Sequence, residues 1–158
     1  MHSSIPTVME RRSSRANRPR RVDFPEGLIG CESWRSFELR VEPEQPMISV
    51  LQCLDDPEAC FLLVDPFNLI PDYRVRLTAS DREFLRLGDV EEPAVFCTLT
   101  VNEDEGMITA NLLGPLAINK RTGLGRQLVQ SATDYSARHR VGSYVREVQD
   151  AGSDAQGG

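Results

Sequence analysis

The chain has 158 residues, 40% of them hydrophobic and few aromatic, with a formal net charge of −6. That length suits one domain with a core of its own, and no run of 18 apolar residues is present to span a membrane as a helix. The start of the chain lacks the apolar stretch of a secretory signal, so a cytoplasmic protein is expected.

Charge is unevenly distributed. Residues 1–21 hold six arginines and one acid, a net of +5, which leaves −11 on residues 22–158. The first segment has little apolar content and no periodicity, and is expected to be a disordered basic arm. Such an arm could touch phosphates, while the acidic body repels nucleic acid and attracts a basic partner.

From Val22 to Ile29 turn residues alternate with apolar ones. Phe24, Leu28 and Ile29 are expected to anchor this loop on the core, and Gly27 and Gly30 to supply unusual backbone angles. Trp34, the only tryptophan, reads as core or rim packing. Ser36–Val41 alternates as a strand with one wet face, residues 42–46 read as a loop, and Met47–Leu54 as a second strand. Ala59–Val64 is short and continuously apolar, as a strand covered on both faces would be. Asp65-Pro66-Phe67 ends it. Asp72–Leu77 alternates Tyr73, Val75 and Leu77 against Arg74 and Arg76, a further strand. Thr78–Leu87 predicts the one helix, with Ser80 and Glu83 as a capping box and Gly88 as its stop.

Pro93–Asn119 is the most informative stretch. Val95, Cys97, Leu99 and Val101 share one face of a strand, and Phe96, Thr98 and Thr100 the other. Asn102-Glu103-Asp104-Glu105-Gly106 makes a polar hairpin loop. Ile108, Ala110 and Leu112 return on one face, Gly114-Pro115 breaks the chain, and Leu116–Ile118 begins again. Arg126–Ser131 reads as a last long strand, and residues 149–158 as a polar, glycine-rich disordered tail. The sum is an all-β domain over residues 22–148, a small antiparallel barrel-like or sandwich fold with one short helix.

No catalytic constellation is present. The four cysteines stand at positions 31, 53, 60 and 97 with no Cys-x-x-Cys pair, and Cys53 and Cys97 lie in apolar runs, as buried reduced thiols do. Neither a dinucleotide fingerprint nor a phosphate loop occurs. No cofactor or metal is expected, and a non-enzymatic role follows. A hydrolase using Cys31 or Cys97 is the weakest alternative. Thr109, Asn111 and Asn119, beside Pro115, read as side chains that satisfy the backbone at a strand break, with a polar contact rim as the functional alternative.

Three segments carry a resemblance. Met107–Asn119, MITANLLGPLAIN, is similar to the signature of the FliW family of flagellar assembly factors. Phe24–Gly30, FPEGLIG, resembles that family's opening. Leu51-Gln52-Cys53-Leu54 and Asp65-Pro66-Phe67 resemble its next pair, in register from about Phe24 to Arg140. The resemblance implies a compact all-β domain that binds flagellin and the RNA-binding translational repressor CsrA, relieving repression of flagellin synthesis. Flagellin would compete for the protein, so that its own level sets its translation.

On that reading the partner-binding candidates are Asp65, Asp72, Tyr73, Glu91, Glu92, Glu103, Asp104, Glu105 and Asn111. A monomer is expected, and direct nucleic-acid binding through the arginine arm is the alternative function. Two departures accompany the resemblance. The family's short strand before FPEG is missing here or replaced by the arginine-rich run, and Arg74 and Arg76 stand at outward positions where the family often carries acids.

Overall fold

The computed structural model describes residues 18–131 and 133–141. Among the described residues nine strands form one sheet that is nearly closed into a barrel. They are β1 (Arg20–Asp23), β2 (Ser36–Glu42), β3 (Gln45–Cys53), β4 (Cys60–Val64), β5 (Ala94–Asn102), β6 (Met107–Ala110), β7 (Leu116–Ile118), β8 (Gly125–Gln127) and β9 (His139–Arg140). One helix, α1 (Ala79–Phe84), and a 3-10 turn at Pro66–Asn68 complete it.

Strands β1 to β5 follow one another as antiparallel neighbours. β5 is the hub. Its second half pairs with β6, Leu99 opposite Ala110 and Asn102 opposite Met107. Its first half pairs with β7, Ala94 opposite Ile118, and β7 pairs with β8. The ring closes where β1 meets the turn before β8. Asp23 bridges Leu124, its N–H donates to the Gly123 carbonyl at 2.9 Å, and the Arg20 guanidinium donates to the Lys120 carbonyl. Gly123 makes this seam possible: its φ is +81°, and a Cβ there would lie 2.7 Å from the Arg21 carbonyl oxygen. Arg20 and Arg21, read from the sequence as part of the arm, are thus in β1. They occupy the sheet edge where the resemblance implied a missing strand.

The period-2 alternation of each strand sorts its side chains between a lumen and an outer layer. Val22, Phe24, Phe37, Leu51, Cys53, Leu63, Leu116 and Ile118 fill the lumen, with Leu39, Phe61 and Phe96 beside them. Phe24 and Phe37 meet edge to face at 5.6 Å, and full burial of each stabilises the fold by about 2–3 kcal/mol. Outside, Val64, Tyr73, Cys97, Ala110 and Leu112 form a second cluster. Leu85, Ala117 and Leu128 form a third under α1. β5 therefore has both faces covered: Phe96 packs inward, and Val95, Cys97 and Leu99 pack outward.

Several expectations need correction. Residues 73–78 alternate in burial but form no strand. Side chains replace the ladder: Arg74 N–H donates to the Tyr135 hydroxyl (2.9 Å), and the Gln130 amide bonds both the N–H and the carbonyl of Arg76 (2.8 and 3.1 Å). The helix is capped two residues earlier than predicted, by Thr78 and Asp81 in a reciprocal capping box. It ends through Arg86, which is left-handed at φ 55°, rather than at Gly88. Ile29 is 62% exposed, so only Phe24 and Leu28 anchor their loop. Gly27 and Gly30 do adopt positive φ, 71° and 87°. The predicted loop over residues 42–46 is a tight hairpin turn, with Glu42 opposite Gln45. The predicted long strand at Arg126–Ser131 shrinks to β8. The tail over residues 149–158 and residues 1–17 of the arm lie outside the described residues.

Candidate partner-binding surface

The acidic candidates do not form one patch. Glu91 and Glu92 precede β5, Asp65 follows the β4 residue that faces Cys97, and Glu103, Asp104 and Glu105 tip the β5–β6 hairpin. Nine residues of β5, at ~3.3 Å each, separate the first group from the last by roughly 30 Å.

Glu103, Asp104 and Glu105 are exposed. The loop is pinned by Asn102, whose side chain accepts from the Glu105 N–H at 3.1 Å, and by Gly106 at φ 63°. Three adjacent carboxylates with no ion pair among the described residues make this tip the strongest concentration of free negative charge in the candidate set. Glu92 and Asp72 are also exposed. Asp65 is exposed, and its carboxylate accepts from the Phe67 N–H (2.9 Å), capping the 3-10 turn.

Three candidates are already engaged by other parts of the fold. Tyr73 is 3% exposed, and its hydroxyl donates to the Leu112 carbonyl at 2.6 Å. Its ring stacks on Tyr135 at 4.7 Å. Burial, with the Cys97 thiol beside it, pushes the phenol well above its ordinary range. A contact role for Tyr73 is corrected on that ground. Asn111 is half-buried and its oxygen accepts from the N–H groups of Leu113 and Gly114, each at 3.0 Å, so it holds the strand break. Glu91 receives a two-point contact from Arg121 (3.2 Å each) and the Gly88 N–H (2.9 Å). Those bonds, the Arg121 one foremost, hold its carboxyl below the usual range. Arg82 donates to the carbonyls of Gly88 and Glu91 in the same knot (2.7 and 2.9 Å).

Asn119 is the polar residue on which this region turns. It is fully buried. Its amide donates to the Leu85 carbonyl at 2.8 Å, and its oxygen accepts from Arg121 N–H at 2.9 Å. It thereby ties the exit of α1 to the β7–β8 turn. Arg126 ties the other end of α1, pairing with Asp81 (3.1 Å) and Glu26 (3.0 Å) and lying 4.3 Å from the Phe84 ring.

Of the four cysteines, Cys53 and Cys97 are buried, Cys31 is half-buried and Cys60 is exposed. Cys97 is fully buried, and burial pushes its thiol up to about 12, which keeps it protonated and unreactive. Among the described residues no group of His, Cys, Asp or Glu is placed to hold a metal ion, and no helix is long and apolar enough to cross a membrane.

Comparison with known proteins agrees with this architecture. The family model described as FliW protein matches residues 9–141. A flagellar assembly factor FliW from Moorella thermoacetica is 40% identical over 121 residues, covering 76% of this chain and 77% of that protein. One from Desulfitobacterium hafniense is 34% identical over 125 residues, covering 79% and 82%. A crystal structure of the flagellar assembly factor FliW superposes with a TM-score of 0.70 at 31% identity, covering 78% of this chain and 86% of that one. By family model, sequence relatives and fold alike, the chain belongs to the FliW protein family.

Proposed function

We propose that this protein is a cytoplasmic, non-enzymatic flagellar assembly factor that binds flagellin and the translational repressor CsrA, and relieves repression of flagellin synthesis. Family membership supports the flagellar role. The observation that carries the choice of a basic partner is the acidic body, −11 over residues 22–158, with its uncompensated carboxylates on an exposed hairpin tip. Such a surface steers a basic RNA-binding protein into encounter while repelling the RNA itself. Binding need not cover the RNA site. A preference for the repressor state that holds RNA poorly suffices, and RNA then weakens this protein's binding by the same factor.

The contact set that fits this reading is Glu103, Asp104 and Glu105, with Glu92, Asp72 and Asp65 as outlying groups. Glu91 is left out because its carboxylate holds the fold. The test is a double charge reversal, Glu103→Lys with Glu105→Lys, measured by stopped-flow association with CsrA at low and moderate salt. Slower association and a flatter salt dependence are expected. Association unchanged at both salt levels removes the hairpin tip from the interface.

A further inference from the structure

Beyond Leu39 and Phe96 the inward positions change character, and a groove of about 640 Å³ opens at the end of the barrel where β1 begins. Its floor is apolar, made by Leu39, Val41 and Phe96, with the buried Ser49 among them. Its rim is cationic: Arg18, Arg20, Arg21 and Arg40 line it, and no acid does. The register explains this. Arg20 sits opposite Leu39, two residues before the lumen residue Val22, so β1 continues the inward row with a guanidinium instead of an apolar side chain. Arg20 then donates across the seam to the Lys120 carbonyl, and Arg21 pairs with Asp23 at 3.1 Å. Arg18 and Arg40 are exposed and have no carboxylate within ion-pair distance among the described residues.

A strongly positive collar around an apolar opening is out of keeping with a body of opposite charge. Leaving it uncovered gains nothing for the fold, since the apolar floor stays wet and the guanidinia repel one another. We propose that this barrel mouth is a second docking site, which takes an acidic segment of a partner protein. An apolar side chain of the segment enters over Val41 and Phe96, and carboxylates on either side of it meet Arg18 and Arg40. Charge complementarity selects this occupant. The site is opposite in sign to the acidic hairpin tip, so the two surfaces select partners of different chemistry.

The test uses the full-length protein labelled with ¹⁵N and a synthetic dodecapeptide of glutamates with interspersed leucines, its ends blocked. Saturable amide shifts are expected at Leu39, Val41, Ser49 and Phe96. The double variant Arg18→Glu with Arg40→Glu weakens binding by at least about tenfold, a loss of ~1.4 kcal/mol. Serine in place of leucine in the peptide also weakens it. Both arginines are exposed, so the variant keeps the wild-type spectrum, and it retains the wild type's affinity for CsrA. That last measurement separates failure of this site from failure of the proposed function. Four results overturn the proposal: no shift up to millimolar peptide, shifts away from the mouth, an equal response to oligothymidylate of matched charge, or mouth shifts that track protein concentration without peptide. The third would make the mouth a nucleic-acid site, and the fourth a contact between copies of this chain.

Discussion

Replacing Asn119 by alanine should be among the most damaging single changes in this protein. The side chain is fully buried. It makes two close bonds, to the Leu85 carbonyl (2.8 Å) and from the Arg121 N–H (2.9 Å), and two longer ones, to the Arg86 carbonyl (3.4 Å) and from the Thr122 N–H (3.3 Å). Alanine removes all four and strands the Leu85 carbonyl at a residue with no exposed surface. A net bond contributes about 1 kcal/mol, and a stranded buried group costs about 1–3 kcal/mol, so a loss of roughly 3–4 kcal/mol is expected. With a urea slope of about 1.5–2 kcal/mol/M, the unfolding midpoint falls by roughly 2 M. Asn111→Ala is the control. It removes two 3.0 Å bonds at a half-buried site where water can replace them, so the loss should be about 1–1.5 kcal/mol. Equilibrium urea unfolding followed by the fluorescence of Trp34 gives both numbers. A loss below about 1 kcal/mol for Asn119→Ala, or the reverse order of the two variants, refutes the assignment of Asn119 as the tie between helix exit and turn.

Three further predictions concern the interior and the seam. Tyr73→Phe removes the hydroxyl bond to Leu112 and should cost about 1–2 kcal/mol in urea unfolding while leaving partner affinity unchanged, because the residue does not reach the surface. Under native conditions a thiol reagent should label the exposed Cys60 first and leave Cys53 and Cys97 untouched until unfolding; rapid native labelling of Cys97 would contradict its burial. The depressed Glu91 carboxyl stabilises the fold above its ordinary value of 4.5, and that contribution is lost as pH falls through the lower folded value. The stability gap between wild type and Glu91→Gln, measured by thermal unfolding, should therefore be widest near neutrality and close in acid. A gap that widens on acidification has the wrong sign.

The parts of the fold that follow from local rules were legible in the sequence. The β5–β6 hairpin, the β7 restart after Gly114-Pro115 and the positive φ of Gly27 and Gly30 each depend on a few neighbouring residues. What was missed depends on distant partners. Residues 73–78 have a strand's alternation, but the ladder that would make them one is supplied by the side chains of Gln130 and Tyr135, more than fifty positions away. Thr78 and Ser80 both begin a capping-box spacing, and the box that forms is the one between Thr78 and Asp81. Arg20 and Arg21 look like an unstructured arm until β2 and the Gly123 turn place them.

The candidate site was harder to read, because composition reports charge and not whether a charge is already engaged. Glu91 and Glu92 are adjacent acids in the sequence. The first is held by Arg121 and the Gly88 N–H, while the second is exposed. Tyr73 alternates with two outward arginines in the sequence, and the direction of its side chain could be told only from the cluster beneath it. Arg20 reveals the barrel mouth only through its register opposite Leu39.

The most direct test of the proposed function is a calorimetric titration of the purified protein with the organism's own CsrA and flagellin, first separately and then in competition. Saturable binding to each is expected, with flagellin displacing CsrA. Binding to neither would contradict it, leaving a chain that shares the family's fold without this partner chemistry.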